Sequence, residues 1–484
     1  HWHAATCEHT GEISGKAEHN FADGKCSDCG YRTAPPETKA TCSFELNGEK
    51  DGYIVTGFEN VGTVLEIPAT HADLPVTEIG EKSLRLSELV KVTIPDSVKK
   101  IGEQAFYACS SLTSVDLGKG VEIIGKYAFR QTAVNEISIP ESLTQICFGA
   151  FAYTDQLKTI EIPSNVTIVE DYAFWNGGIE TIKIDANTAK WGTGQYIFSG
   201  CENLKQVIFG GNASTSAYLK FDTCYTVLSY TAENNSNYKS VNGILCNTAG
   251  TKVLRGPLGA TNAVIPDGVT EIGEYAFMNS KLETVAFPNT LKTIGKRAFQ
   301  ASKLKSVRIP DSVTYINDTA FGSCKSLTEL NIGAGLSSLY GNPFKGCSSL
   351  NNVTVSKDNQ KYYSENNAII QITTATVYGG NVLVRANLAG EIPSGVVYLD
   401  ADTFYDCTEV EHIYIPTSVK RTSFDIFARC KNLKSVTFED AQGWSVVANG
   451  ASWPKDAISV TVTNAETNVE LFQTTYADYW WTKS

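Results

Sequence analysis

One short phrase of residues recurs at a fixed interval through this chain, and that interval constrains the fold more than any other feature. It first reads Ile94-Pro95, Val98, Ile101-Gly102, Ala105-Phe106, Cys109, Leu112 and Val115. It returns around Ala128-Phe129, Ala150-Phe151 and Ala173-Phe174, at steps of 23, 22 and 23 residues. Downstream it resumes with Ile265-Pro266, Ile272-Gly273 and Ala276-Phe277 and runs on through Phe299, Phe321 and Phe344. Copies opened by Ile392-Pro393 and Ile415-Pro416 close the series. A unit this short cannot enclose a core alone, so each copy must cover its apolar side with its neighbours. The expectation is a solenoid of about a dozen coils between residues 67 and 438.

Each position in the phrase has a physical reason. Leu112, Val115 and Leu117 put apolar groups on one face with the period of a strand, and the Pro that follows most strands ends the hydrogen-bond ladder. Ile-Gly reads as a second short extended piece closed by a turn. Ala-Phe reads as a short helical turn whose ring stacks on the ring of the next coil.

The order Ile-Pro, Val-x-x-Ile-Gly, Ala-Phe, Cys, Leu-x-x-Val resembles the BspA-like leucine-rich repeats of bacterial cell-surface proteins. The opening Tyr53-Ile54-Val55-Thr56-Gly57, Ile67-Pro68 and Pro75 to Gly80 resembles that family's first repeat. The fold expected is α/β: a right-handed leucine-rich-repeat solenoid with a parallel sheet and short helical turns, interrupted by β-hairpins. The resemblance implies a secreted or wall-attached protein, no reaction, and a partner that is a protein or glycan on host or neighbouring cells. The first residue is His1 rather than Met, and the expectation is that a signal peptide has been removed.

Composition narrows the partners further. A net charge of -12 argues against nucleic acid, and no apolar run approaches the ~20 residues of a membrane span. The expectation is therefore no nucleic acid, no membrane insertion within the chain, and a monomer.

Residues 1–33 stand apart. Cys7-x-His9 and, sixteen residues later, Cys26-x-x-Cys29 have the spacing of a small structural zinc site, with His19 as the alternative to His9. The competing reading is a disulfide among the same cysteines. A similar segment occurs in many Gram-positive surface proteins, which it resembles. Residues 34–42 read as a linker, 43–438 as the solenoid with inserts at 210–264 and 356–391, and 439–484 as a cap over the last coil.

Thirteen cysteines would ordinarily suggest disulfides. Six of them, Cys109, Cys201, Cys324, Cys347, Cys407 and Cys430, instead share one place three residues after the stacked Phe, where other coils have Thr132, Thr154, Gly177, Ser280 and Ser302. That place calls for a small side chain in a tight turn. The expected state is a free, buried thiol.

No phosphate-cradling loop, His-Glu-x-x-His or Gly-x-Ser-x-Gly is present, and beyond residue 33 the histidines are His71 and His412. Nothing here supplies acid–base catalysis, so the function expected is binding or adhesion without an enzyme activity. The alternative is a rigid spacer within a larger surface protein. Binding residues are expected on outward strand positions, among them Arg308, Glu329, His412 and Tyr414. Two more are expected in hairpins: Tyr238, before Asn242-Gly243, and Tyr362, before Asn366-Asn367, both turn dipeptides.

Overall fold

The alternation in the repeat produces the first strand of each coil. In Ser306–Ile309, Ser306 and Arg308 face out while Val307 and Ile309 are buried, and the next two coils follow it in register through Glu329–Ile332 and Asn352–Val355. The computed structural model describes residues 21–22, 25–26, 39–59, 62–187, 191, 196–214, 216–373, 381–386, 389–448, 457–462 and 465–483. They form a β-solenoid of stacked parallel strands. Contacts divide it into two units, His1–Gly178 with Trp191–Thr193, and Ile179–Lys190 with Gly194–Ser484.

In the first unit, Val64–Glu66, Lys91–Thr93 and Ser114–Asp116 make one parallel row. The Ile-Gly positions make a second, from Leu74–Ile79 through Lys100–Ile101, Ile123–Ile124 and Gln145–Ile146 to Ile168–Val169. An antiparallel pair, Lys39–Leu46 with Tyr53–Glu59, covers the start. The second unit repeats both rows, for example Glu271–Ile272, Thr293–Ile294 and Tyr315–Ile316.

The helical turn expected at Ala-Phe is not built. In most regular coils the residues two before and two after the Phe lie in the left-handed region: Gln104 and Ala108, Tyr127 and Gln131, Arg297 and Ala301. Backbone amides consequently alternate in direction. Those of Ala105, Tyr107 and Cys109 fold back onto Gly102, Gln104 and Phe106, whereas those of Gln104, Phe106 and Ala108 donate at 2.8 Å to Lys126, Ala128 and Arg130 of the next coil. A helix would turn all of these bonds inward and leave neighbouring coils unlinked on this side. Among the described residues the α-helix is Ala465–Glu470.

The rings do stack. Phe106, Phe129, Phe151 and Phe174 sit face to face with centroids 5.1, 5.4 and 5.5 Å apart, and Phe277, Phe299, Phe321 and Phe344 repeat this at 5.0, 5.2 and 5.6 Å. The small position beside them is satisfied in two ways. The Cys324 and Cys347 thiols donate at 3.1 Å to the Phe299 and Phe321 carbonyls of the preceding coil, while Thr132 and Thr154 bond their own coil's Phe129 and Phe151 at 2.9 and 2.8 Å.

The boundaries expected for the first insert need correction. The solenoid continues past residue 210: Phe221 stacks on Phe198 at 4.8 Å, and Ser229–Ala232 pairs in parallel with Gln206–Phe209. The irregular part then opens with Tyr238–Val241 antiparallel to Ile244–Asn247, and Tyr362–Glu365 pairs in the same way with Ala368–Gln371. These two segments copy each other side chain by side chain. Asn235 bonds the Gly210 and Ala213 carbonyls, and Asn359 bonds those of Gly333 and Leu336. Ser240 accepts from the Ala232 amide at 3.0 Å, and Ser364 from the Val355 amide at 3.1 Å. Each segment ends on a buried arginine. Arg255 pairs with Asp222 at 2.9 Å and donates to the Tyr275 carbonyl, and Arg385 donates to the Leu350 and Ala386 carbonyls, both at 3.0 Å.

At the end of the chain, Tyr479–Lys483 runs antiparallel to Arg421–Thr422 and to Trp444–Ala448. Trp481 is buried there against Phe472, with ring centroids 4.0 Å apart.

Candidate binding surface

Because strand side chains alternate, each coil offers two or so outward positions, and the parallel register lines them up across coils. In the second unit the ends of Thr284–Ala286, Ser306–Ile309, Glu329–Ile332 and Asn352–Val355 frame an open groove of about 920 Å³, lined by Phe287, Arg308, Asp311, Asn331, Thr354 and others. Asn331 donates to Glu329 at 3.0 Å and accepts from the Thr354 hydroxyl, so these three are tied together. Glu329 is half-buried. Arg308 lies opposite Asn331, is exposed, and has no hydrogen-bond or ion-pair partner among the described residues. Elsewhere on this face, lysines reach a glutamate one coil away: Lys205 to Glu180, Lys305 to Glu283 and Lys434 to Glu411. Such exposed pairs add little to stability.

His412 and Tyr414 project from His412–Ile415 further along, and Tyr414 is 53% exposed. The His412 Nδ1 is 2.8 Å from the Ser435 hydroxyl. Beside them the Thr417 amide donates to Glu439 at 2.8 Å and holds that carboxyl below its usual range.

Two of the expected binding residues are not on the surface. Tyr238 and Tyr362 are 4% and 1% exposed. Each opens its strand with the ring turned inward. The Tyr238 ring packs 5.1 Å from that of Phe209 and its hydroxyl bonds the Ser214 carbonyl, while the Tyr362 hydroxyl accepts from the Leu339 amide at 2.9 Å. These tyrosines anchor the hairpins to the coils beneath. Of the expected zinc ligands, Cys7, His9 and Cys29, with the alternative His19, lie outside the described residues. Cys26 ends a two-stranded pair, Phe21–Ala22 with Lys25–Cys26.

A sequence profile described as the BspA type leucine-rich repeat region matches residues 77–205, 192–242, 250–369 and 388–445. The chain belongs to that family. Solved structures similar to it include a leucine-rich repeat protein from Eubacterium ventriosum, 20% identical over 86% of this chain and 97% of that one with a TM-score of 0.42. The pneumococcal vaccine antigen PcpA is 20% identical over 77% and 96%, with a TM-score of 0.42. A leucine-rich cell surface protein from Faecalibacterium prausnitzii is 23% identical over 83% and 95%, with a TM-score of 0.36. No curated protein matches the sequence.

In this BspA-type solenoid the thiols of the small position are buried. Burial pushes Cys407 up to about 11 and Cys430 up to about 12, so both stay protonated at neutral pH. What strand-based reading of the sequence missed is the turn face. The left-handed residues flanking each Phe also point outward, and in the first unit they carry Tyr127, Tyr153 and Tyr172. The signal was available as aromatic residues two places before or after the stacked Phe. Among the described residues no helix is long and apolar enough to cross a membrane.

Proposed function

We propose that this chain is a non-enzymatic binding module of a bacterial cell surface that engages a protein on a host or neighbouring cell through the strand face of its second unit. The observation that carries this is Arg308, an exposed cation with no partner among the described residues, in an open groove whose other polar side chains are the amides of Asn289 and Asn331, the hydroxyls of Thr354 and Ser356 and the single carboxylate of Asp311. Such a groove suits an extended acidic segment, whose carboxylates take the guanidinium fork while Asn331 and Thr354 meet its backbone. Membership of the BspA-type family supports the reading, as does the description of a similar structure as a cell surface protein. The test is binding of the full chain to matrix and mucin proteins. Saturable binding weakened at least tenfold by Arg308→Glu is the expected result. Absence of any saturable partner, or affinity indifferent to Arg308→Glu, overturns it and favours a rigid spacer.

A further inference from the structure

We propose that the turn face of the first unit holds a second site, for an acidic sugar: a pyranose bearing a carboxylate, stacked on the rings of Tyr127, Phe148, Tyr153, Tyr172 and Trp175 and paired with Arg130 and Lys126. The rings form a closed circuit over three successive coils. Tyr127 meets Phe148 at 5.5 Å, Phe148 meets Tyr172 at 5.3 Å, Tyr172 meets Trp175 at 5.5 Å, and Trp175 meets Tyr153 at 4.9 Å. Arg130 closes it, its guanidinium 5.2 Å from the Tyr127 ring and 4.9 Å from the Tyr153 ring. Backbone bonds between coils fix the spacing, the Tyr127 amide to the Phe148 carbonyl at 3.0 Å and the Tyr153 amide to that of Trp175 at 2.8 Å. The rings are therefore in place before a ligand arrives, and little side-chain freedom is lost on binding.

The charges point to an anion. Lys126 lies 5.4 Å from the Tyr127 ring and 5.9 Å from the Phe148 ring. Neither Lys126 nor Arg130 has a carboxylate partner among the described residues, and the Arg130 Nε is buried without an acceptor. In the same unit Lys39, Lys82, Lys99 and Lys100 each pair with a glutamate. In the second unit the Tyr405 ring lies 4.1 Å from Lys345, which Asp402 neutralises at 2.9 Å, and 5.4 Å from Arg429. Single arginines also lie over lone rings, Arg85 over Tyr107 and Arg297 over Tyr275, but here two cations without a carboxylate partner share one cluster of five rings, set against a net charge of -12. A guanidinium held between two rings keeps its fork at the edge of the stack, where it fits a carboxylate bidentately.

The ring platform decides between a sugar and an acidic peptide. Aromatic faces suit the C–H face of a pyranose, with polar groups around them for its hydroxyls. The exposed neighbours are Lys126, Gln131, Asp155 and Gln156, all polar. A protein anchor instead favours surroundings that exclude water.

The experiment is calorimetric titration of the full chain with an oligogalacturonate, its neutral oligogalactoside counterpart and an oligoglutamate. Expected are saturable binding of the uronate, at least tenfold weaker binding of the other two, a tenfold loss in Trp175→Ala and a several-fold loss in Lys126→Gln. Lys126 is exposed, so its replacement decides the matter if Trp175→Ala unfolds. Arg308→Glu, in the other unit, leaves uronate binding unchanged. Absence of uronate binding, indifference to Lys126→Gln, or oligoglutamate bound as tightly as the uronate overturns the proposal.

Discussion

The regular coils and the two irregular segments solve one problem with opposite chemistry. A regular coil such as that of Phe299 is covered by its neighbours, and its buried surface is apolar apart from a hydroxyl or thiol bonded to a carbonyl. Where the coil sequence is interrupted, polar side chains bond carbonyls of the preceding coil. Asn235 and Asn359 each bond two carbonyls, and Arg385 donates to the Leu350 carbonyl. The lesson is that the irregular segments are built as joints between coils. Tyr238, Tyr362, Arg255 and Arg385 are buried in the fold.

That contrast can be broken from the stacked column first. Phe299→Ala removes a ring packed on both sides and is expected to cost about 3–5 kcal/mol, read from urea unfolding; a cost under about 1 kcal/mol would mean the column is not the core. Arg385→Leu leaves buried carbonyls unpaired and is expected to cost about 2–4 kcal/mol by the same measurement. If leucine were tolerated, the joint would be ordinary apolar packing. Cys324→Ser should change stability by less than about 1 kcal/mol, because Ser302 already fills the same place one coil earlier. Chelation is the smallest effect expected: structural zinc at Cys7, His9, Cys26 and Cys29 would be released from residues 1–33 with the solenoid transition unmoved, and a shift of that transition would tie the two together.

The repeat, the two strand rows and the stacked rings were legible because each is a fixed spacing of apolar residues. Phe221, Cys224, Val227 and Tyr230 keep that spacing too, but without the Ile-Pro and Ile-Gly around them the coil reads as an interruption. The helical reading of Ala-Phe failed because a three-residue recurrence fits both a helix and a turn chain with left-handed residues, and Gln104 or Tyr127 gives no glycine to signal the latter. Tyr238 and Tyr362 were placed outside because alternation along a hairpin defines two faces without saying which is covered. Arg308, His412 and Tyr414 were placed correctly on outward positions, since the strand period alone determines that. Which of them has a partner is set by the neighbouring coil, and spacing does not carry it.

The most direct measurement compares Arg308→Glu with Tyr362→Phe, reading unfolding midpoint and partner affinity on each protein. The account predicts that Arg308→Glu weakens binding at least tenfold with the midpoint unchanged, while Tyr362→Phe lowers stability by about 1 kcal/mol and leaves affinity alone. Affinity lost in Tyr362→Phe and kept in Arg308→Glu would contradict it and return recognition to the hairpins.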